Sequence, residues 1–378
     1  MSEKVSIGRR LWYATITAII LQSVWIGGGY GTGREVVEFI AKYGALGWIS
    51  ILVGLVSLLI ALVPSFEIAR VFKAFDYMTW SKQFLWKAWP IFDIAFILLS
   101  WIVIAVVGAA AAAMLEDMIG IPYFVGALIV ILSVGLLHFF GRKVIEGWWI
   151  VGTVGLYIMY AVIWALTLYH AGPRALENIS KGLTVNGDPV QAAVDGFRYT
   201  LYNLCVVMPA LQSIDRYKGR LESFFATLMS LLLVYGAAAL IWICFMGFYP
   251  EIINEPVPWY AVLKSIGAPW AMGLFVFWVF FTLIETALGM IYAIVRRVDA
   301  QFQLLRGRRL TRKWEAVLAV IILAVSLITA QVGIVALVAQ GYGTMAWVFF
   351  AVYFVPIVTI GVTRLLKPEW AKEFWSKA

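Results

Sequence analysis

Residues 27–33 read GGGYGTG, and they lie inside an apolar stretch, residues 11–43, that could otherwise form one membrane helix. Each glycine lowers helix propensity by about 1 kcal/mol. Lipid offers no water to backbone groups released by a break, so such groups must face protein, ligand or ion. The segment therefore predicts a helix that is broken near the bilayer centre, a feature typical of secondary transporters.

Three alternative interpretations of the same seven residues are weaker. A helix-packing face places small residues at every fourth position, whereas these glycines are residues 27, 28, 29, 31 and 33. A phosphate-binding glycine loop follows a strand, whereas an apolar helix is predicted here. A potassium-channel filter is a re-entrant loop repeated around an axis, whereas GGGYGTG occurs once.

The composition is that of a membrane protein with many spans. Hydrophobic residues make up 63% of the 378 residues, charged residues make up 13%, and the mean hydropathy is +0.91. Soluble domains are about half apolar and about a quarter charged. The net charge of +8 comes from basic residues scattered through short loops, which indicates membrane topology rather than nucleic-acid binding.

Cysteine and histidine usage argues against a disulfide framework and a metal cluster. Cys205 and Cys244 both lie in apolar stretches, which favours buried thiols. His138 and His170 are expected near helix ends at opposite membrane faces. The N-terminus resembles a signal peptide in its basic pair before an apolar run. No small-x-small cleavage site follows, so we expect a retained first helix.

Ten apolar runs are long enough to cross a hydrocarbon core of about 30 Å. They cover residues 11–43, 45–70, 88–115, 121–140, 146–170, 189–213, 221–249, 269–297, 313–332 and 343–364. If the N-terminus is cytoplasmic, all but six of the 29 Lys and Arg residues lie on the cytoplasmic side. This asymmetry favours the ten-span count, and it predicts a multi-pass plasma-membrane protein with both termini in the cytoplasm.

The ten spans divide into two sets of five, residues 11–170 and 189–364, within a single transmembrane domain over residues 1–378. Because five is odd, the two sets would be inverted relative to each other. Inverted repeats place their binding site where the first helices of the two halves meet. Helix 6 should therefore also be broken, either at residues 200–203 or nearer Pro209.

These features together resemble the LeuT-type fold of the amino acid-polyamine-organocation superfamily. That fold is all-α, with ten transmembrane helices in a five-plus-five inverted repeat and breaks in helices 1 and 6. The segment GGGYGTGREVVEFIAKYG, residues 27–44, is most similar to the start of the YkvI-like membrane proteins. The resemblance implies a small-molecule transporter that works by alternating access, with helices 1, 3, 6 and 8 lining the site. It names no substrate.

Glu285 is the sharpest functional candidate, because a charge inside a span is costly unless it is paired or hydrated. Thr282, Glu285 and Thr286 share one helical face by their spacing. In LeuT-type sodium transporters, hydroxyls at this spacing on helix 8 complete a sodium site, and Glu285 takes the first hydroxyl position. The acid could ligate sodium, carry a proton, or be a neutral group in a packed bundle.

Charged residues near the outer ends of helices 1 and 6 form a candidate outer gate. They are Arg34, Glu35, Glu38, Asp195 and Arg198. The resemblance implies an outer-gate arginine just after the break in helix 1, which is Arg34. Its usual partner lies on helix 10, which has no acid here, so Asp195 is the expected partner. A pair within helix 6, between Asp195 and Arg198, is the alternative.

The resemblance also implies an inner gate between the N-terminal segment and the end of helix 8. Arg9 or Arg10 would supply its cation, and Asp299 would supply its anion.

The predicted substrate site lies between the breaks. The N–H groups that open the outer half of helix 1 would bind a carboxylate, and the last carbonyls of the inner half would bind an amine. Trp25 is placed to help shape the pocket. The predicted substrate-binding residues are Gly27, Gly28, Gly29, Tyr30, Gly31, Thr32, Gly33, Trp101, Tyr199, Tyr202 and Asn203.

The sequence thus predicts a secondary active transporter for a small amino-acid-like or amine-containing solute. Its expected partners are that solute and the lipid bilayer, with no nucleic acid and no obligatory protein partner. No cofactor is expected beyond a coupling ion, Na+ or H+. An ion channel or uncoupled facilitator for a small cation or solute is the alternative. A membrane enzyme lacks support, because neither HExxH nor GxSxG is present.

Overall fold

The computed structural model describes residues 6–255, 257–329 and 341–367. Every regular element within these ranges is helical. The α-helices in chain order are α1 (Ile7–Thr32), α2 (Arg34–Phe39), α3 (Gly47–Val71), α4 (Tyr77–Leu85), α5 (Trp89–Ile119), α6 (Tyr123–Phe140), α7 (Arg142–Ser180), α8 (Pro189–Asn203), α9 (Val207–Ala210), α10 (Arg220–Leu231), α11 (Ala237–Met246), α12 (Pro258–Ile266), α13 (Pro269–Arg306), α14 (Arg312–Thr329), α15 (Gly343–Phe349) and α16 (Val362–Leu366).

Shorter helical segments connect or extend these helices. The 3-10 segments are Ala41–Leu46, Trp86–Ala88, Leu204–Val206, Leu211–Arg216 and Glu251–Asn254. The π-helical segments are Leu232–Gly236, Phe350–Phe354 and Ile357–Gly361. Two of the π segments follow α15, so the last described span is a single helix with a widened middle.

Seven continuous helical stretches of the described chain are long and apolar enough to cross a membrane. They are Ala41–Val71, Tyr77–Glu116, Tyr123–Phe140, Arg142–Ser180, Arg220–Met246, Pro269–Arg306 and Gly343–Leu366. The spans predicted at residues 11–43, 189–213 and 313–332 are not among them, and the last of these extends beyond the described residues. The chain is therefore a helical multi-pass membrane protein.

The glycine segment is helical, and the chain breaks only at its last residue. α1 continues through Thr32, and Gly33 then takes φ +83°, a left-handed conformation that side-chain-bearing residues rarely adopt. The predicted unwinding over residues 27–33 is therefore wrong in extent. Helical geometry keeps most amides and carbonyls of this segment paired, which matters more in lipid than the low helix propensity of glycine. The same geometry is unlike a re-entrant filter loop.

Helix 6 tightens rather than unwinds. α8 ends at Asn203, a 3-10 turn covers Leu204–Val206, and α9 then includes Pro209. The backbone stays right-handed through this region, with φ −71° and ψ −9° at Val206. The irregular turn thus falls between the two positions that the sequence left open for a break.

α1 is the central helix of the bundle. It packs against α13, α10 and α7, while α8 packs against α3 and α15. α5 lies against α13, α6 and α14. Helix association in membranes depends on close packing rather than on a hydrophobic driving force. The contacts of α1 therefore decide where a functional site can form.

Candidate functional site

α1 approaches α13 closely at Gly27. A Cβ atom at this position would collide with the Thr286 side chain and would lie 2.8 Å from the Thr282 carbonyl oxygen. The Thr286 hydroxyl donates to the carbonyl of Val24 at 3.1 Å, and the carbonyl oxygen of Ser23 lies 3.4 Å away. The missing side chain at Gly27 thus lets Thr286 reach the backbone of α1.

Glu285 lies on the α7 side of the same contact. Its side chain is fully buried, and it packs on Gly152 of α7, where a Cβ atom would collide with the carboxylate. Neither carboxylate oxygen forms a hydrogen bond with a described residue, although the Thr282 hydroxyl lies close by. An isolated buried charge is costly, so this position suits either a protonated acid or an acid that binds a cation.

The residues around Glu285 carry oxygen atoms of the types that a hard cation such as sodium binds. Thr282 Oγ1 and both Glu285 oxygens are buried and form no hydrogen bonds among the described residues. The Ser23 and Val24 carbonyls lie beside the Thr286 hydroxyl. Hard cations take carboxylate, hydroxyl and carbonyl oxygens. No group of three or more His, Cys, Asp or Glu side chains that could hold a metal ion is found in the described part of the chain.

A polar chain on α1 and α7 borders this contact. The Thr153 hydroxyl donates to Gln22 Oε1 at 2.8 Å and lies 2.8 Å from Ser23 Oγ. Gln22 Nε2 is buried and has no hydrogen-bond partner among the described residues. Thr153 follows Gly152, so these polar groups lie next to the residue on which Glu285 packs.

Six aromatic side chains form one cluster where α1, α2 and α8 meet. This aromatic cluster consists of Trp25, Tyr30, Phe39, Tyr199, Tyr202 and Tyr342. Its centre is Tyr199, whose ring centroid lies 5.7 Å from Trp25 and 5.7 Å from Tyr202. Trp25 Nε1 donates to the Tyr199 hydroxyl at 3.0 Å. Tyr342, just before α15, stacks on Tyr202 with centroids 5.0 Å apart.

Glu35 reaches the aromatic cluster from α2 rather than joining the outer charges. The Tyr202 hydroxyl donates to Glu35 Oε2 at 2.6 Å. The carboxyl group also packs against Gly29, where a Cβ atom would collide with it. The protein thus supplies its own carboxylate beside the end of α1, close to where the sequence predicted that a substrate carboxylate would bind.

Asp195 is the centre of the outer charge network. It is 2% exposed, and it pairs with Lys42 at 2.8 Å and with Arg198 at 2.9 Å. The Tyr43 hydroxyl also donates to it, at 2.7 Å. A connection between the outer part of helix 1 and helix 6 is therefore present together with the pair inside helix 6.

Arg34 does not make the expected pair with Asp195. It pairs with Glu38 at 2.9 Å and donates to the carbonyl of Ile253 at 2.7 Å. The break at Gly33 makes α2 short, and the following 3-10 segment brings Lys42 to α8. Lys42 therefore takes the place that the sequence assigned to Arg34.

The expected inner pair between Arg10 and Asp299 is also not formed. Arg10 forms a bidentate salt bridge with Glu222 at the start of α10, with N–O distances of 2.7 and 2.9 Å. Asp299 accepts from the backbone N–H of Leu310 at 2.7 Å and lies 3.5 Å from Arg296. Asp299 is thus engaged by the loop after its own helix, and Glu222, which is fully buried, is the anion for Arg10.

The remaining predicted site residues lie near α1 and α5. Asn203 Nδ2 donates to the Tyr199 carbonyl at 3.0 Å, so it supports α8. The Thr32 hydroxyl accepts from the backbone N–H that opens α2, at 3.2 Å. Gly31 faces α13, and Gly28 lies on the helical backbone of α1. Trp101 is half-buried on α5.

Several residues of the site carried only weak sequence signals. Lys42 and Tyr43 follow the glycine segment, but their reach to α8 depends on the 3-10 turn of Ala41–Leu46. Tyr342 stands between two glycines at the start of a span, which is the one local signal it offers. Glu222 lies in the N-terminal turn of α10, where an acid is also explained by helix capping.

No protein-family model matches the chain, and no curated protein matches it in sequence. The similarity to YkvI-like proteins therefore stays a prediction.

Solved transporter structures resemble the chain over nearly its whole length. MhsT in complex with L-phenylalanine aligns with a TM-score of 0.65 and 14% identity, covering 95% of this chain and 89% of that chain. A Na+-coupled sialic acid symporter in a substrate-bound outward-open state gives 0.58 and 12%, covering 93% and 88%. The Eremococcus coleocola manganese transporter gives 0.53 and 16%, covering 95% and 78%. The chain therefore shares the LeuT-type fold of these secondary transporters.

Proposed function

We propose that this chain is a secondary active transporter that moves a small amino-acid-like or amine-containing solute by alternating access, driven by a sodium or proton gradient. One observation carries the proposal. Glu285 is a buried acid without a hydrogen bond among the described residues, at the contact of α1, α7 and α13. A Na+-coupled sialic acid symporter has the same fold. An acid in such a position can bind and release a cation when these helices move.

Coupling is assigned to Thr282, Glu285 and Thr286. In the sodium form of the mechanism, their oxygens hold Na+ together with carbonyls of α1. In the proton form, Glu285 carries the proton. Both forms neutralise the carboxylate before the helices close around it, which avoids the cost of a bare buried charge.

Substrate binding is assigned to the junction of α1, α2 and α8. The α1 glycines let Glu35 and α13 approach the α1 backbone, and Tyr30 of α1 with Tyr199 and Tyr202 of α8 would line the pocket beside them. Support comes from the aromatic cluster, which brings these side chains together at the break in helix 1.

Two ionic contacts are proposed as the gates. The outer gate consists of Asp195 with Lys42 and Arg198, supported by the pair of Arg34 and Glu38. The inner gate consists of Arg10 and Glu222. Each joins segments that alternating access would separate.

The finer architecture belongs to the same proposal. We infer ten spans in two inverted sets, residues 11–170 and 189–364, within one domain. The termini are cytoplasmic, the membrane is the plasma membrane, and no obligatory protein partner is required. Membership of the YkvI-like proteins rests on residues 27–44.

The experiment starts from purified protein in lipid nanodiscs. Thermal stability is screened against amino acids, amines and nucleobases, with and without sodium. A solute that stabilises the protein is then offered to proteoliposomes under an imposed sodium or proton gradient. We expect accumulation above equilibrium in wild type. We expect none in Glu285→Gln, which keeps the size of the side chain but removes its charge and its proton.

Glu177→Gln is the matched control, because Glu177 is an exposed acid paired with Lys181 in the last turns of α7. It should accumulate solute like wild type. Full accumulation by a folded Glu285→Gln variant would leave Glu285 with a structural role alone. Flux that never exceeds equilibrium under either gradient would favour a facilitator or channel.

A further inference from the structure

Glu35 is a partly buried acid whose charge no described basic residue neutralises. The neutral Tyr202 hydroxyl donates to it at 2.6 Å, and the Tyr199 hydroxyl is also within reach of it. The basic residues nearest in sequence, Arg34 and Lys42, pair with other acids. Residues 330–340, which lie outside the described ranges, contain no Lys or Arg. A positive charge from outside the protein would complete this site.

Aromatic rings surround the same position. Tyr30, Tyr199 and Tyr342 all lie close enough to interact electrostatically with the Glu35 carboxyl group. Aromatic faces carry negative potential and attract cations, most strongly where water is excluded. Rings and carboxylate therefore favour the same sign of charge on a ligand.

The Tyr30 hydroxyl adds a hydrogen-bonding group to this environment. Tyr30 is 0% exposed, and its hydroxyl oxygen forms no hydrogen bond with a described residue. The Tyr199 hydroxyl lies within reach of it, and a hydroxyl oxygen that donates to one partner can still accept from another, so a ligand can donate to Tyr30. An ammonium N–H group can donate to it while the positive charge faces Glu35.

A carboxylate on the ligand would conflict with these groups. Glu35 lies against Gly29, at the end of α1, where a substrate carboxylate would otherwise meet the helix break. Two carboxylates brought together at this position would repel each other. The break in helix 1 is thus already occupied by an anion of the protein.

We propose that the site selects a protonated amine that lacks a carboxylate. Glu35 balances the charge of the amine, the aromatic cluster surrounds its alkyl or aryl part, and the Tyr30 hydroxyl accepts one of its N–H groups. This inference rests on the proposed transport function and narrows its substrate class from amino-acid-like solutes to cationic amines.

The test compares pairs of compounds that differ only by a carboxylate. Phenethylamine is paired with phenylalanine, tyramine with tyrosine, and 3-methylbutylamine with leucine. Binding to the full-length protein in nanodiscs is measured by calorimetry at neutral pH, in the presence of sodium. We expect at least one amine to bind about tenfold or more tightly than its amino acid.

Two variants examine the origin of the preference. Glu35→Gln removes the charge, and it should weaken amine binding by about tenfold or more while the protein stays folded. Gly29→Ala leaves the charge in place but forces the carboxyl group to move, and it should weaken binding in the same direction. Glu177→Gln, an exposed acid remote from this site, should bind like wild type.

Three results would overturn the proposal. They are equal or tighter binding of the amino acid in every pair, no binding of any amine at millimolar concentration, and unchanged amine affinity in both variants. Gradient-driven uptake of an amino acid into proteoliposomes would refute the substrate class and uphold transport. Specific amine binding without gradient-driven uptake would refute coupled transport and uphold the substrate class.

Discussion

Three glycines of this site serve three different physical needs. Gly33 supplies a positive φ, Gly27 lets Thr286 reach α1, and Gly152 leaves room for Glu285. Sequence alone marks all of them only as residues of low helix propensity. The glycine cluster could therefore predict that helix 1 is special. It could not show which glycine breaks the helix, because that depends on which neighbour fills the space.

Gly27→Ala should destabilise the protein, because its methyl group would overlap Thr286 at the contact of α1 with α13. Overpacking of this kind costs about 1–3 kcal/mol. The measurement is the thermal unfolding midpoint of purified protein in nanodiscs. Gly273→Ala is the control, since a Cβ atom at that position of α13 meets nothing within 4 Å. Equal midpoints for the two variants would argue against a tight contact at Gly27.

Tyr202→Phe should lower stability by leaving the Glu35 carboxylate without its hydrogen bond. Hydrogen bonds to charged groups contribute about 1.5–3 kcal/mol. The effect should disappear in the Glu35→Gln background, which a double-mutant cycle measures. Tyr169→Phe, at an exposed tyrosine of α7, should change nothing. Additive effects of Tyr202→Phe and Glu35→Gln would contradict the hydrogen bond.

Helices could be predicted from the sequence where the lipid environment alone requires the backbone to be helical. The run at residues 121–140 corresponds to Tyr123–Phe140, and the run at residues 88–115 corresponds to Trp89–Ile119. A long apolar segment in a membrane must form a helix to pair its backbone groups. Irregular turns are different, since tertiary contacts decide them. The 3-10 turn at Leu204–Val206 accordingly fell between the two sites that the sequence suggested.

The salt-bridge partners of the charged residues were the hardest feature to predict at this scale. Candidate charges could be read from sequence, and Asp195 does join helix 6 to the outer part of helix 1. The partners differ because each depends on where a short segment ends. Lys42 follows the 3-10 turn to Asp195, and Arg10 meets the start of α10 rather than the end of α13.

Arg10 and Glu222 should be energetically coupled, because the buried carboxylate of Glu222 accepts two hydrogen bonds from the Arg10 guanidinium. A double-mutant cycle with Arg10→Gln and Glu222→Gln should give a coupling free energy of about 0.5–3 kcal/mol in thermal unfolding. The parallel cycle with Arg10→Gln and Asp299→Asn should give none. Coupling to Asp299 that exceeds coupling to Glu222 would contradict the arrangement.

In the molecule as a whole, the salt bridge between Lys42 and Asp195 and the salt bridge between Arg10 and Glu222 are formed at the same time. Under the proposed mechanism this arrangement corresponds to an occluded state, in which neither side admits solute. The aromatic rings lie against one another at this stage, so binding must separate some of them. The sequence could mark the break and the aromatic residues at the centre of the proposed site, because both are local features. It did not predict the charge at the centre, because Glu35 turns inward only in the folded chain.

The proposed orientation can be measured by cysteine labelling in intact cells. A membrane-impermeant maleimide should label Asn186→Cys and should not label Arg308→Cys, because the proposed topology places the loops of these two exposed residues on opposite sides of the membrane. The wild-type chain should give little background, since Cys205 and Cys244 are each 1% exposed. Labelling of Arg308→Cys before cells are permeabilised would refute the ten-span arrangement.

The packing of Glu285 on Gly152 has an evolutionary consequence. A methyl group at residue 152 would overlap both the Glu285 carboxylate and the Phe281 ring, so a larger residue there requires these side chains to move. Among homologues, the two positions should covary. A lineage that shortens the acid relieves one of these two overlaps, whereas a lineage that keeps glutamate should retain glycine. These two positions are 133 residues apart in the sequence, and we expect them to change together.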